Sequence, residues 1–130
     1  MNENIPALLN GASRIAVVGL SDRPYRTSYA IAVALLDHGY DIIPVNPRLA
    51  GWNGILAWPD LRSVPRTIDI VNVFRRSEHV ASLVEEAIAV GAKAIWTQSG
   101  VVDYAAAARA EQAGLQVVMD RCIAVELARL

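Results

Sequence analysis

This chain is poor in the side chains that most often do chemistry. Its 130 residues include one cysteine, Cys122, and two histidines, His38 and His79. A single thiol cannot close an internal disulfide, and three soft ligands so far apart have no metal-site spacing. Lysine is nearly missing as well: of the 12 basic residues all but Lys93 are arginine. The 13 acidic residues leave a formal net charge of -1, which gives no support to nonspecific binding of nucleic acid or an anionic membrane. No apolar run approaches the roughly 20 residues that span a bilayer. The first residues lack the basic flank, apolar stretch and cleavage site of a secretory signal. These absences set the expectation of a cytoplasmic protein with neither a membrane nor a nucleic-acid partner.

What is present is core material. With 54% hydrophobic residues, residues 1–130 are read as one domain with one core. The organising stretch runs from Arg14 to Ser28. The strand predicted over 14–18, whose apolar run of four is hydrophobic on both faces, stops at Gly19, a polar loop follows, and Thr27-Ser28 precede a segment with Tyr29, Ile31, Ala32, Leu35 and Leu36 on one helical face. Such a strand, turn and helix start aims free N–H groups and the positive end of a helix dipole at one point, which suits a phosphate. Further strands are predicted over 40–45, 68–74, 93–97 and 116–119, and helices over 3–10, 77–91 with Ser77 as cap, 103–113 and 122–130. The stretch 48–59 is read as a loop excursion whose tryptophans pack locally, and 60–63 as a single helical turn. Three times an apolar helix stops at a glycine, Gly39, Gly91 or Gly114, and a strand follows. This alternation predicts an α/β fold, a doubly wound parallel sheet of five strands in the order 3-2-1-4-5 with helices on both faces. In such sheets ligands sit beyond the carboxyl ends of the strands, where the order reverses.

Six of the eleven arginines, at 23, 26, 48, 75, 76 and 121, fall in the loops of that edge, and those at 14, 62, 66, 109 and 129 do not. The cluster points to an anionic ligand with several phosphates. A plainer alternative is that exposed loops favour arginine, and that Glu78 or Asp120 compensates the adjacent Arg75 and Arg76. A nicotinamide dinucleotide fits less well. No glycine occurs between Gly19 and Gly39, and Asn46-Pro47 stands where an acidic residue would hold a ribose.

Five ordered blocks, residues 16–21, 43–47, 69–78, 96–101 and 118–122, together resemble the small stand-alone CoA-binding proteins, which are similar to the CoA-binding domain of the succinyl-CoA synthetase alpha subunit. The resemblance implies a Rossmann-like domain that takes CoA or an acyl-CoA. It places the phosphates near Gly19, Leu20, Ser21, Arg26, Thr27 and Ser28. It also sets Val45, Asn46, Pro47, Val73, Phe74 and Arg75, with Arg76 beside them, around the adenosine or diphosphate. Thr97, Gln98 and Gly100 come near the pantetheine arm. With no second ligase domain in these residues, the expectation is binding without a reaction. An NAD(P)-dependent or acyl-transfer enzyme using the same edge is one alternative, and a regulatory module with a vestigial nucleotide site is another. A homodimer, or a complex with an acyl-CoA enzyme, is the expected form of any protein partner.

The remaining reactive groups have bland readings. His38 sits before Gly39, where a partly charged imidazole favours a helix C-terminus. His79 has no acidic partner at helical spacing to orient it. Ser21, Ser28 and Ser99 have no base within a recognisable pattern. Cys122 reads most simply as a small buried space-filler and, more specifically, as a thiol able to form a mixed disulfide with CoA.

Overall fold

Five short apolar runs, rich in valine and isoleucine, become strands because they pack on both faces under covering helices. A computed structural model describing residues 1–130 places β1 at Arg14–Val18, β2 at Asp41–Val45, a small hairpin β3 (Gly51–Trp52) and β4 (Ile55–Leu56), β5 at Ile70–Val73, β6 at Ala94–Thr97 and β7 at Gln116–Val118. The helices are α1 (Ile5–Gly11), α2 (Thr27–Asp37), α3 (Val80–Ala89), α4 (Tyr104–Gln112) and α5 (Ile123–Ala128). Pro6 sits in the first turn of α1, where its missing N–H costs nothing. No helix is long and apolar enough to cross a membrane.

The main sheet is ordered β2-β1-β5-β6-β7 with every pair parallel. The doubly wound, Rossmann-like α/β fold is as expected. Counted over the five long strands alone the order is 2-1-3-4-5, so the third long strand, β5, lies between β1 and β6 and not outside β2 as in 3-2-1-4-5. The reason is that the outer edge of β2 is already taken. The excursion after β2 returns to it: Trp58 N–H donates to Pro44 O and Asn46 N–H to Trp58 O, both at 2.9 Å. β5 therefore pairs with the other side of β1, with Val17 opposite Asn72. The order reverses between β1 and β5, which moves the ligand crevice to that pair. The far edge, along β7, is covered by the N-terminal segment, where Asn2 N–H donates to Val117 O at 2.8 Å and the Asn2 side chain bonds both backbone groups of Met119.

Two apolar layers enclose the sheet. α1, α2 and α5 bury Leu9, Ile31, Leu35, Ile123 and Leu127 against one face, and α3 and α4 bury Val80, Val84, Ala107 and Ala110 against the other. Trp52 of the hairpin reaches beyond its own loop: it packs edge-on to Tyr29 of α2, with ring centroids 5.4 Å apart. His38 caps α2 as expected and stacks on Tyr40.

Two local features fix the sheet's ends. At the amino end, the Asp69 carboxylate accepts the N–H groups of Ser13 and Arg14, each at 2.8 Å, and meets Lys93 Nζ at 3.1 Å, so it ties β1, β5 and β6 together. At the carboxyl end, Gly19 has φ +85° and lies so close to β5 that an added Cβ would sit on the Phe74 carbonyl oxygen. Only glycine satisfies both the dihedral and the approach.

Gly19→Ala is expected to lose about 2–4 kcal/mol in chemical denaturation, since strain and overpacking act together. Burial pushes the Asp69 carboxyl up, but the two N–H donors and Lys93 outweigh it and hold it below its ordinary value. Its stabilisation is thus present above the unfolded value, about pH 4, and lost as pH falls through the lower folded value. The stabilities of wild type and Asp69→Asn should converge as pH drops through that window; a constant gap would show that the carboxylate's charge contributes nothing.

Candidate functional site

The groove begins where β1 ends. Gly19 N–H still bonds Val45 O at 2.9 Å, and the chain then folds on itself: Ser21 N–H donates to Ser28 Oγ at 3.0 Å, and Arg23 N–H to Ser21 Oγ at 3.1 Å. Asn46, in the position that an acidic residue takes in dinucleotide binders, donates its Nδ2 to Leu20 O at 3.0 Å and accepts Arg48 N–H at 2.9 Å. It ties the loop after β2 to the loop after β1. α2 starts with Arg26 in the capping position and no side-chain cap. The N–H groups of Thr27 and Ser28 consequently find no acceptor in the chain.

Around this open helix end lies a polar groove of about 660 Å³ walled by Gly19, Ser21, Asp22, Arg23, Arg26, Thr27, Ser28, Asn46 and Arg48, with Leu49 and Phe74 as its apolar members and Asp22 as its one carboxylate. Beside it is a more apolar pocket of about 700 Å³, walled by Ile31, Phe74 and Val101 together with Arg75, Arg76, Ser77, Gln98, Gly100 and Cys122. Thr27 and Phe74 belong to both. The two are halves of one groove running across the carboxyl ends of β1 and β5.

The arginines of this edge differ from those elsewhere, of which Arg62 alone is also without an ion pair. None of the six edge arginines forms an ion pair, whereas Arg14, Arg66, Arg109 and Arg129 all do, with Asp41, Glu85 or Glu126. Neither expected compensator serves: Asp120 Oδ1 accepts Gly100 N–H at 2.7 Å, and Glu78 lies 3.8 Å from His79. His79 thus has the acidic neighbour that the sequence did not suggest, and it also stands 3.4 Å from Arg75 Nη2.

The apolar pocket owes its walls to a set of bonds between the loops after β6 and β7. Thr97 Oγ1 donates to Val101 O at 2.7 Å and accepts Asp120 N–H at 3.1 Å. Asp120 holds a left-handed φ of +61° while bonding Gly100. Ser77 is not a helix cap: its Oγ accepts Val102 N–H at 2.9 Å, and a short 3₁₀ turn over Ser77–His79 leads into α3. Below the pocket, Asn72 of β5 is fully buried between Val17 and Trp96, and neither amide atom has a partner.

Of the residues singled out from sequence, Gly19, Ser21, Arg26, Thr27, Ser28 and Asn46 come together in the polar half, Arg75, Arg76, Gln98 and Gly100 in the apolar half, and Phe74 between them. Leu20, Val45, Val73 and Thr97 are buried beneath, and Pro47 is exposed beside the groove without walling it. Ser28 is itself buried, and its Oγ accepts the Ser21 amide, so its role in the loop is structural. The apolar members Ile31, Leu49 and Val101 were not anticipated. Ile31 lies one helical turn beyond Thr27, a spacing that could have marked it; Leu49 is brought in by the hairpin and carries no comparable signal.

Residues 13–128 match a family described as CoA binding domain. YneT, an uncharacterized protein of Bacillus subtilis (strain 168), is 46% identical over 121 residues, covering 93% of this chain and 90% of its own. A hypothetical protein from Pyrococcus horikoshii OT3 superposes with TM-score 0.94 at 35% identity, over 100% of this chain and 92% of its own. The dinucleotide-forming acetyl-coenzyme A synthetase 1 of Ca. Korarchaeum cryptofilum is similar with TM-score 0.70 at 24% identity, over 81% of this chain but 25% of its own; that likeness concerns the fold alone.

Thr97→Val should cost about 1–3 kcal/mol, because it leaves Asp120 N–H without its acceptor and Val101 O without its donor. Amide exchange at Gly100 and Asp120 should quicken while the strands stay protected. Unchanged exchange there, despite lost stability, would show that Thr97 does not hold the two loops.

Proposed function

The chain belongs to the CoA-binding domain family, and from that premise we propose that it binds CoA or an acyl-CoA in the groove across β1 and β5. The observation that carries this reading is that Arg23, Arg26 and Arg48, none of them in an ion pair, wall the groove around an uncapped helix start. Unpaired guanidinium groups and free N–H donors at one point are suited to an oxyanion ligand of multiple charge. CoA supplies that charge as a diphosphate and a 3′-phosphate on one nucleotide, and continues as a long uncharged arm of short apolar segments and two amides, ending in a thiol.

The two halves of the groove match this division. Thr27 and Ser28 N–H groups, with Arg23, Arg26 and Arg48, would take phosphate oxygens in the polar half. Ile31, Phe74 and Val101 would line the path of the arm, with Gln98 offering an amide to its peptide-like groups. Arg75 walls the apolar half, its side chain beside Gly19 and its Nη2 near His79. The reading is one of recognition and assigns no reaction.

Calorimetric titration is expected to show CoA binding that weakens for dephospho-CoA and exceeds that of ATP or NADH. NADH binding as tight as CoA would overturn the reading. Arg75→Ala should weaken CoA at least about tenfold, since a charge-assisted contact contributes roughly 1.5–3 kcal/mol. Unchanged affinity would place Arg75 outside the site.

A further inference from the structure

We propose that the acyl group this groove takes carries a carboxylate at its free end, so that the ligand is a CoA thioester of a dicarboxylic acid and Arg76 recognises its terminal charge. This inference rests on the binding reading above and names the acyl class that the same site selects.

Charge carries the argument. In the polar half Arg23, Arg26 and Arg48 face the single carboxylate of Asp22, and the phosphates of CoA would answer the remaining positive charge. The apolar half is walled by Arg75 and Arg76 and by no acidic residue, yet the part of CoA that would enter it, the pantetheine arm, is uncharged. Free CoA, or CoA with a plain hydrocarbon acyl group, therefore leaves both guanidinium groups there without an anion. The chain supplies none either. Glu78 and Asp120 stand in adjoining loops, but neither pairs with Arg75 or Arg76: Glu78 lies 3.8 Å from His79, and Asp120 Oδ1 accepts Gly100 N–H at 2.7 Å.

The two arginines are held differently. Arg75 is half-buried, with its aliphatic chain against Gly19 and its Nη2 3.4 Å from His79 Nε2. That contact gives the side chain a direction but brings no negative charge. Arg76 is exposed, and its side chain makes no cap bond to the 3₁₀ turn that it precedes. An uncommitted guanidinium beside an apolar wall suits a carboxylate, which it can grip by both oxygens. Ile31, Phe74 and Val101 would take the methylene groups of a short acyl chain, and Arg76 its charged end.

Desolvation sets the sign of the preference. Moving a carboxylate against those apolar walls without a partner costs more than moving a methyl group, so a neutral acyl chain would win in the absence of Arg76. With Arg76 in place the order reverses.

The experiment compares acyl-CoAs of equal length that differ only at the free end: malonyl-CoA with propionyl-CoA, and glutaryl-CoA with valeryl-CoA. Each is titrated calorimetrically beside CoA and dephospho-CoA. The carboxylate member is expected to bind about tenfold tighter in at least one pair. Arg76→Gln, which keeps a polar side chain but removes the charge, should bring that ratio to one or below, while the ratio of CoA to dephospho-CoA stays that of the wild type. Equal affinities within both pairs, in a protein that binds CoA, would overturn the acyl inference and leave the binding reading intact. A preference that survives Arg76→Gln would overturn it too. So would a variant in which CoA and dephospho-CoA draw level, since Arg76 would then hold the 3′-phosphate. No binding of CoA or of any acyl-CoA would overturn both readings.

Discussion

The contact between Gly19 and the Phe74 carbonyl is the constraint from which the rest of the site follows. It brings the ends of β1 and β5 together without side chains between them, and the strand order reverses at that pair. Because the two strands separate into loops that turn toward opposite layers, a groove opens above the contact, with α2 on one side and the Arg75–Ser77 turn on the other. Any side chain at position 19 would have to push β5 away, and Phe74, which borders both halves of the groove, would move with it.

Electrostatics then divides the molecule into two regimes. Away from the groove, guanidinium groups and carboxylates pair across elements, as Arg109 does with Glu85, and contribute modest surface energies. At the groove Asp120 holds a loop and Glu78 lies near a histidine, which leaves Asp22 as the one carboxylate facing the polar half against Arg23, Arg26 and Arg48. The positive potential left there is a standing cost to the folded chain, tolerable because the loops are solvated, and it is the property that attracts an anion.

Much of this was legible in the sequence because glycine and period mark where elements stop. Gly39, Gly91 and Gly114 each follow a helix and each has positive φ, so five strands and their intervening helices could be placed from their stops. The strand order could not. It depends on Trp58 returning to pair with the outer edge of β2, a long-range choice written in a stretch with no period of its own. The site divides the same way. Residues in the loops after strands, such as Thr27, Asn46 and Arg75, were found by the edge rule, whereas Leu49 arrives through the hairpin and Ile31 through the rotation of a helix. Ser77 and Ser28 were identified by type, but their hydroxyls serve neighbouring backbone amides. Hydroxyl chemistry has several local uses that sequence does not rank.

The coverings of the sheet carry a consequence for how this molecule meets others of its kind. One margin is occupied by the strand-like return of Trp58 and the opposite one by Asn2, which bonds the backbone on both sides of Val118. No long row of unused N–H and C=O groups faces outward, so the sheet offers no template on which a second chain could continue it. Crowded copies are thereby steered away from open-ended fibre growth, and association is left to helix faces and loops, where it can close on itself.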